Sequence, residues 1–501
     1  MSALLVGLDV GTSGSKALAI DAESGAVVAS ATREHRLDTP HPRWAEQDPN
    51  ELRDAALGAL ADLARALGAR ARDVAAIGLT GQMHTAILLD DELCPVRPAM
   101  LWCDGRATDA CAAITAKLGH EGLRRTVKNL ALEGFTVPKL VWLREHEPAA
   151  LARVRHVLMP KDWVGLALTG ELGTDVSDAA GTLAFDPEAR AWSAELIAAL
   201  DLDASWFPPA GESGSRLGAL CADAARATGL PEGTPVARGA ADNAAGAVGL
   251  GVVRDGRAMI SLGTSGVVLA HTAQLRVDPA MRLHAFSAAV PGASYLMGVM
   301  LSAGGALRWY RDAVAHAPYD AIVADAERAE PGAGGLVFLP YLAGERTPHH
   351  DAAARGAFVG LTLRTGQAEL ARAVLEGISF GLADTWAVLH ALEPSVRPDE
   401  VRLTGGGARS AFWRQLLADV LDAEVTTTSS TEGPAFGAAL LGGVAAGIDA
   451  SVEAAAERTV EVRERLAPRP ALVRRYAEVR AEYVAAYGDL RARFAALGAL
   501  G

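Results

Sequence analysis

The sequence predicts an α/β protein made of two copies of one domain. Its 501 residues, half of them hydrophobic, exceed what a single core usually holds, so two or more domains are expected. A strand–turn–strand pattern opens the chain, and the same pattern returns at residues 257–271. Both turns contain the tetrapeptide Gly-Thr-Ser-Gly, at residues 11–14 and 263–266. A four-residue match can arise by chance, but a duplicated domain explains the shared context better.

The first copy is predicted to begin with a meander, a helix and a further strand. Helix signals lie at Asp48 as N-cap, Pro49 in the first turn and Gly68 just beyond the end. Ligands of open α/β sheets bind at the carboxyl ends of strands, so the residues that follow each strand are candidates for ligand binding. From alternation and turn residues, strands are predicted at residues 3–9, 15–20, 26–31 and 74–80.

The second copy follows the same order. Strands are predicted at residues 257–262, 267–271 and 400–404, and a helix begins near Ser410. We expect an N-terminal domain at residues 1–250, a second domain at residues 251–450 and a C-terminal helical segment at residues 451–501 that packs on the second domain.

Composition restricts the partners of the protein. The formal net charge is −13 and acidic residues are spread along the chain, which argues against nucleic acid or an anionic membrane as partner. The apolar start is too short for the core of a signal peptide. Free thiols, and hence a cytoplasmic location, are expected because no CxxC pair occurs among Cys94, Cys103, Cys111 and Cys221.

The two Gly-Thr-Ser-Gly turns are candidate phosphate sites. Two glycines let backbone N–H groups and the hydroxyls of Thr12 and Ser13 approach an anion, and Asp9 at the strand end can hold a hydrated magnesium ion. The alternative for a single turn is an ordinary hairpin, because Gly, Thr and Ser are common turn residues. Recurrence at residues 263–266 favours phosphate binding.

A third glycine cluster, at residues 405–407, follows the strand at residues 400–404. Consecutive glycines suit a place where another group lies against the backbone, and a nucleotide is the favoured interpretation over a flexible loop.

Asp242 is the candidate general base. Phosphoryl transfer needs one carboxylate to accept a proton from the attacking hydroxyl, and an Asp at the head of a helix near a domain boundary can face a cleft. The alternative is a helix N-cap, which most such residues are.

Polar groups for a polyhydroxyl ligand are expected near the end of the strand at residues 74–80. Gln82 and His84, with Trp102, Asp104 and Arg106, supply hydrogen-bonding groups and an aromatic face. Packing alone would explain His84 and Trp102 equally well.

Taken together, these segments resemble the FGGY family of carbohydrate kinases over essentially the whole chain. The resemblance implies the family's fold, two duplicated actin-like (ribonuclease-H-like) domains flanking a catalytic cleft. The motifs that carry it are Gly-Leu-Asp-Val-Gly-Thr-Ser at residues 7–13, Gly-Gln-Met-His at 81–84, Gly-Phe-Thr-Val-Pro-Lys-Leu at 134–140, Pro-Lys-Asp at 160–162, Asp-Asn-Ala-Ala-Gly at 242–246, Ser-Leu-Gly-Thr-Ser at 261–265, Pro-Tyr-Leu-Ala-Gly-Glu-Arg-Thr-Pro at 340–348 and Gly-Gly-Gly-Ala-Arg-Ser at 405–410.

The resemblance also implies roles for individual residues. Asp242 corresponds to the family's catalytic base and Asp9 to its magnesium-side carboxylate. The residues implied for the sugar are Gln82, Met83, His84, Trp102, Arg106 and Asn243. The residues implied for ATP are Gly11, Thr12, Ser13, Lys16, Gly263, Thr264, Ser265, Gly405, Gly406, Gly407 and Ala408.

The implied reaction is the transfer of the γ-phosphate of Mg-ATP to a small ketose. Asn243 and the Gln-Met-His run at residues 82–84 are most similar to the family's kinases of xylulose. A related kinase of ribulose, another pentulose, glycerol or a similar polyol is the close alternative, and a non-metabolic actin-like ATPase is the remote one. Similar enzymes are usually dimers, so a homodimer is expected.

Overall fold

The computed structural model describes residues 2–392, 400–430 and 432–500. Its strands in chain order are β1 (Leu4–Val10), β2 (Gly14–Asp21), β3 (Val27–Glu34), β4 (Glu46–Gln47), β5 (Val74–Gly81), β6 (Ile87–Leu89), β7 (Ala99–Met100), β8 (His156–Leu158), β9 (Thr174–Asp175), β10 (Phe185–Asp186), β11 (Ala191–Trp192), β12 (Ala210–Gly211), β13 (Arg216–Ala219), β14 (Pro235–Ala237), β15 (Ala240–Ala241), β16 (Arg257–Leu262), β17 (Gly266–Thr272), β18 (His284–Ser287), β19 (Ser294–Met300), β20 (Val337–Leu339), β21 (Ala357–Val359), β22 (Glu400–Thr404), β23 (Glu424–Thr428) and β24 (Val462–Leu466).

The helices in chain order are α1 (Pro49–Leu67), α2 (Thr108–Thr126), α3 (Thr136–His146), α4 (Pro148–Leu151), α5 (Pro160–Thr169), α6 (Val176–Ala180), α7 (Ala194–Ala199), α8 (Ala222–Thr228), α9 (Asp242–Gly249), α10 (Gly304–Tyr310), α11 (Tyr319–Arg328), α12 (Gln367–Leu392), α13 (Ala411–Leu421), α14 (Gly433–Ala445), α15 (Val452–Thr459) and α16 (Pro470–Gly498). Within the described ranges, the helices are too short or too polar to span a bilayer.

Two large mixed sheets confirm the predicted duplication. The first has the order β13-β14-β5-β1-β2-β3, with β15 also paired to β5, and the second has the order β18-β19-β17-β16-β22-β23-β24. In the first sheet β1 pairs antiparallel with β2 and parallel with β5. In the second sheet β16 pairs antiparallel with β17 and parallel with β22. Each sheet is therefore a meander extended on one side by a parallel strand.

Local sequence signals explain the first elements. Helix α1 begins at Pro49, where the Asp48 side chain accepts a hydrogen bond from the backbone N–H of Asn50, and it ends at Gly68 with φ 56°. Strand β1 is buried along its length because α1 and α14 both pack on it, whereas the edge strand β3 is largely exposed. The predicted bounds of α1, β16 and β22 are confirmed.

Helices α9 and α14 pack against each other, and α14 lies directly on β1 and β5. Small residues make this possible: a Cβ at Gly78 would lie 1.7 Å from the carbonyl oxygen of Ala438, and one at Gly437 would lie 1.8 Å from that of Ala245. The backbones therefore touch, as expected from the small residues that begin α14. The division near residue 250 stays a prediction, but α14, which lies between strands β23 and β24 of the second sheet in the chain, packs on the first sheet.

The C-terminal segment differs from the expected helical cover. Strand β24 pairs antiparallel with β23 and becomes the edge of the second sheet. Helix α15 packs on α9 and α14, and only α16 lies against α12, α13 and β20. The alternating pattern in residues 462–466 is only five residues long. The helical spacing of the rest of the segment therefore led to a prediction of helix there.

The contact between Gly78 and α14 predicts a sharp steric effect. Gly78→Ala should destabilise the fold by about 3 kcal/mol or more, because the methyl group would displace α14 from the sheet. Gly488→Ala is the matched control, since that exposed glycine of α16 has open space around its Cβ position, and it should be neutral or stabilising by up to about 1 kcal/mol. Denaturant unfolding of both variants measures the difference, and equal free energies would contradict the packing.

Candidate functional site

The site begins with the register of three parallel strands. Val10 of β1 is aligned with Gly81 of β5, and Gly81 is aligned with Ala241 of β15. The carboxyl ends of these strands therefore share one edge of the first sheet, where Asp9 and Asp242 come together from distant parts of the chain.

Asp242 is the first residue of α9 and is partly buried. Its Oδ1 accepts hydrogen bonds from the backbone N–H of Asn243 at 2.7 Å and from Asn243 Nδ2 at 2.9 Å. The residue at the N-cap position is Ala241, so Asp242 is not the helix cap that the alternative interpretation required. Burial, and next the charge of Asp9, raise the pKa of Asp242 to about 7.

Asp9 is the second carboxylate of this edge and is partly buried. Burial raises its pKa to about 6, and the positive charge of Lys16 opposes that shift. Its Oδ1 has no hydrogen-bond partner among the described residues. Lys16 itself pairs with Glu432 at the start of α14, so this cation joins β2 to the second half of the chain.

A cavity of about 220 Å³ opens at Asp242. Both halves of the chain contribute to its wall, which makes it an interdomain site. The lining residues are Met83, His84, Trp102, Leu132, Gly134, Phe135, Asp242, Asn243, Ser265, Val267, His284, Met297, Val299 and Arg346.

His84 is held as a neutral ring in this wall. Its backbone has φ 67°, and its Nδ1 hydrogen-bonds the carbonyl oxygen of Gly181. Burial lowers its pKa to about 3. Since a carbonyl only accepts, Nδ1 carries the proton and Nε2 is left as a hydrogen-bond acceptor.

Trp102 connects the first Gly-Thr-Ser-Gly turn to the cavity. Its Nε1 donates to Thr12 Oγ1 at 2.9 Å, while part of the ring stays exposed at the cavity. Asn243 lies opposite, where its Nδ2 also approaches the Met83 sulfur at 3.7 Å.

A second, larger cavity of about 770 Å³ lies against the second sheet. Gly263 and Thr264 line it together with Gly406 and Gly407, as expected for adjacent parallel strands β16 and β22. Gly405 has φ 88°, and a Cβ there would lie 2.7 Å from the Leu262 backbone, so the glycine is required.

The two cavities meet at the turn between β16 and β17. Ser265 lines the smaller cavity, and its neighbours Gly263 and Thr264 line the larger one. A ligand in the larger cavity can therefore present an end to Asp242 across a single turn.

Comparison with known proteins agrees with this geometry. Residues 4–249 match the FGGY family of carbohydrate kinases, N-terminal domain, and residues 258–446 match the C-terminal domain of the same family. The chain belongs to the FGGY family of carbohydrate kinases. It is therefore a sugar kinase, an enzyme that uses ATP as phosphate donor.

Relatives within the FGGY family are similar over most of their length. The chain is 44% identical to a xylulose kinase of Klebsiella pneumoniae over 88% of this chain and 90% of that protein. A crystal structure of xylulose kinase from Rhodospirillum rubrum superposes with a TM-score of 0.91 at 32% identity, covering 98% of this chain and 99% of that one. A gluconate kinase from Lactobacillus acidophilus gives a TM-score of 0.93 at 26% identity, with 99% and 100% covered. These neighbours confirm the duplicated fold of the family.

Three residues predicted to bind ligands in this FGGY kinase do not line either cavity, and their role in binding stays a prediction. Arg106 is buried in ion pairs with Asp104 and Glu46, and its guanidinium lies 3.6 Å from the ring centroid of Trp44. Gln82 is buried and bonds Gln47, and Lys16 is paired with Glu432. Gln82 has its polar atoms hydrogen-bonded within the first domain, whereas Arg106 keeps one buried nitrogen, Nη1, without a hydrogen-bond partner among the described residues.

The remaining predicted residues divide between the two cavities. Met83, His84, Trp102, Asn243 and Ser265 join Asp242 at the smaller cavity, and Gly263, Thr264, Gly406 and Gly407 line the larger one. Gly405 and Ala408 flank the larger cavity in the chain, and Gly11, Thr12 and Ser13 form the turn beside Trp102.

Sequence reasoning missed the second domain's side of the smaller cavity. Arg346 is the clearest example: it lines the cavity, and burial lowers its pKa. The motif at residues 340–348 carried the only signal for it. His284, Met297 and Val299 lie on strands β18 and β19 with no motif around them.

The partly buried carboxylate of Asp242 is expected to reduce stability. The native state binds its proton up to about pH 7, whereas the unfolded chain releases it near the usual carboxyl pKa, so the cost is absent near pH 4 and complete at about pH 8. Asp242→Asn should thus stabilise the fold by roughly 2–4 kcal/mol at about pH 8 and by much less near pH 4. Denaturant unfolding at the two pH values measures this.

Asp48→Asn is the control, because Asp48 is exposed and Asn caps helices equally well. It should show little pH-dependent gain. A gain for Asp242→Asn that does not change with pH would contradict the raised pKa.

Proposed function

We propose that the protein transfers the γ-phosphate of ATP to D-xylulose, forming D-xylulose 5-phosphate, with Asp242 as general base. The observation that carries the proposal is the turn at residues 263–266, which faces a nucleotide-sized cavity on one side and the Asp242 cavity on the other. The names of the most similar relatives support xylulose as the substrate.

Asp242 accepts the proton of the attacking hydroxyl, expected at C5. As that O–H bond breaks, the C5 oxygen bonds to the γ-phosphorus, and the bond from that phosphorus to the bridging oxygen of ADP breaks. A base with a pKa of about 7 is matched to this step, because it is ionised near neutral pH and still basic. Asn243 donates two hydrogen bonds to the same Oδ1, which leaves Oδ2 for the hydroxyl.

Phosphate charge is met by turn backbones and hydroxyls. Gly263 and Thr264 face the nucleotide cavity, and Thr12 is held by Trp102 at the edge of the other one. Asp9 fits the magnesium ion that kinases of this kind use, since it has an unpartnered buried oxygen and hard oxygen ligands suit that ion. When bound, magnesium would neutralise charge on the transferred phosphate.

The sugar is recognised by a mixture of acceptors and donors. His84 Nε2 and Asp242 accept from hydroxyls, while Asn243 and Arg346 can donate. Arg346 is a donor only, so it can pair with the carbonyl oxygen or with a hydroxyl oxygen of the sugar. Closure of the two halves would exclude water from the reacting groups.

The fold does not select the sugar, since a gluconate kinase superposes on this chain as well as xylulose kinases do. Another pentulose, or a polyol such as glycerol, is therefore the alternative, and the side chains of the cavity must decide between them.

Asp242→Asn should reduce kcat by about a hundredfold or more, because the amide cannot accept the proton. Binding of ADP, measured by calorimetry, should change little, since Asp242 is outside the larger cavity. In the unmodified enzyme kcat should fall as the pH drops below about 7, where Asp242 becomes protonated. Turnover retained by the variant would identify another group as the base.

A panel of acceptors tests the substrate. ADP release should be fastest with xylulose, with a kcat/KM about tenfold or more above that for ribulose, glycerol and gluconate, because the cavity discriminates by paired hydrogen bonds. Phosphorus NMR of the product should place the phosphate at C5. Higher specificity for another acceptor would overturn xylulose, and ATP turnover that needs no sugar would point to a non-metabolic ATPase.

A further inference from the structure

Lys139 is a buried amine beside the sugar cavity that the proposed chemistry does not use. It lies in α3 and is completely inaccessible to solvent. Its Nζ donates to the carbonyl oxygen of His84 at 2.8 Å and to that of Gly134 at 2.8 Å. Thr136 Oγ1 donates to the same His84 oxygen at 3.1 Å. The first turn of α3 therefore hydrogen-bonds the backbone of two residues that line the cavity.

Both carbonyls belong to backbone that needs support. His84 has a positive φ of 67°, which is unfavourable for a non-glycine residue. Gly134 approaches Trp102 so closely that a Cβ would lie 2.6 Å from the Trp102 carbonyl oxygen. The ring of Phe135 packs edge-on against the His84 ring at 4.7 Å. Lys139 therefore connects three neighbouring parts of the cavity wall, at His84, Trp102 and the segment 134–135.

The ammonium group of Lys139 carries a desolvation cost that its two hydrogen bonds to backbone carbonyls offset. Burial is costly for an ammonium group and lowers the pKa of Lys139 to about 7. Within the described residues Lys139 forms no ion pair, and the nearby carboxylate of Asp104 is taken by Arg106. An apolar side chain of similar length would fill the same volume without that cost. Such a side chain could not donate hydrogen bonds to the carbonyl oxygens of His84 and Gly134.

We propose that Lys139 is a positioning residue for the sugar. By bridging His84 and Gly134 it holds His84 in its left-handed conformation and fixes the distance between His84, Phe135 and Trp102, so that sugar hydroxyls meet preplaced partners. This inference rests on the proposed sugar kinase activity. The larger, nucleotide-facing cavity includes none of these residues, so the effect is expected mainly on the acceptor sugar.

The test is Lys139→Met, which keeps the length of the side chain and removes its donors. KM for the ketose should rise about tenfold or more, because both carbonyls lose a partner and the wall relaxes. The kcat at saturating sugar should stay within about threefold and KM for ATP should not change, since the base and the nucleotide cavity are intact. An unchanged KM for the ketose, or equal changes in both KM values and kcat, would overturn the proposal.

Two further variants separate positioning from general damage. Arg372→Met is the matched control: Arg372 is also buried and donates to two backbone carbonyls, of Ala326 and Ala329, but in the second half of the chain. It should lower Tm without raising KM for the ketose. Thr136→Val removes the other donor to His84 and should raise KM by about threefold, a measurement that decides the matter if Lys139→Met does not fold.

The activity of the unmodified enzyme distinguishes failure of the proposed function from failure of the proposed role of Lys139. If the unmodified enzyme phosphorylates no ketose, the proposed function fails. If it does and neither Lys139→Met nor Thr136→Val changes KM for the ketose, only the role of Lys139 fails.

Discussion

The parallel pairing of β1, β5 and β15 is the constraint on which the rest of the site depends. Backbone hydrogen bonds fix the register that aligns Val10, Gly81 and Ala241. Because of that register Asp9 and Asp242 are partly buried at one edge, and burial together with their mutual charge raises the pKa of Asp242. A carboxylate in water would be too weak a base to take a proton from an alcohol readily, and this edge of the sheet makes it stronger.

The same region is built from features that oppose stability. Asp9 and Asp242 are partly buried titratable groups, Lys139 is a fully buried one, and His84 has a left-handed backbone. The surrounding packing holds them: α14 rests on the first sheet with backbone against backbone at Gly78, and the Lys16–Glu432 pair ties its start to β2. A close-packed scaffold of small residues therefore carries a polar, destabilising site.

In the proposed reaction the sugar and the nucleotide occupy separate cavities. The nucleotide cavity belongs to the second sheet, and its glycines follow two adjacent parallel strands. The acceptor cavity is formed by side chains from both halves, with the turn at residues 263–266 between the two. Relatives named for different sugars share this fold with similar TM-scores, so specificity has to reside in side chains and in what positions them.

The sequence by itself determined the elements and the identity of the chemistry. The helix at Pro49–Leu67 was predictable because its capping residues act locally, and strands β16 and β22 were predictable because runs of apolar residues end at glycine turns. The repeated Gly-Thr-Ser-Gly turn predicted the duplication that the two sheets confirm. The family followed from ordered motifs that match over both domains.

Only the tertiary structure decided which polar residues line the two cavities. Arg106 and Gln82 have the right chemistry and lie near the right strand, yet Arg106 pairs with Glu46 and Gln82 bonds Gln47, and neither side chain lines either of the two cavities. Arg346 and His284 enter the cavity from the other domain, and Lys139 acts through carbonyls that no side-chain pattern reveals. Packing of the whole fold sets the contacts between residues that are distant in the chain, together with the loss of solvent around them. Local sequence patterns therefore do not predict these contacts.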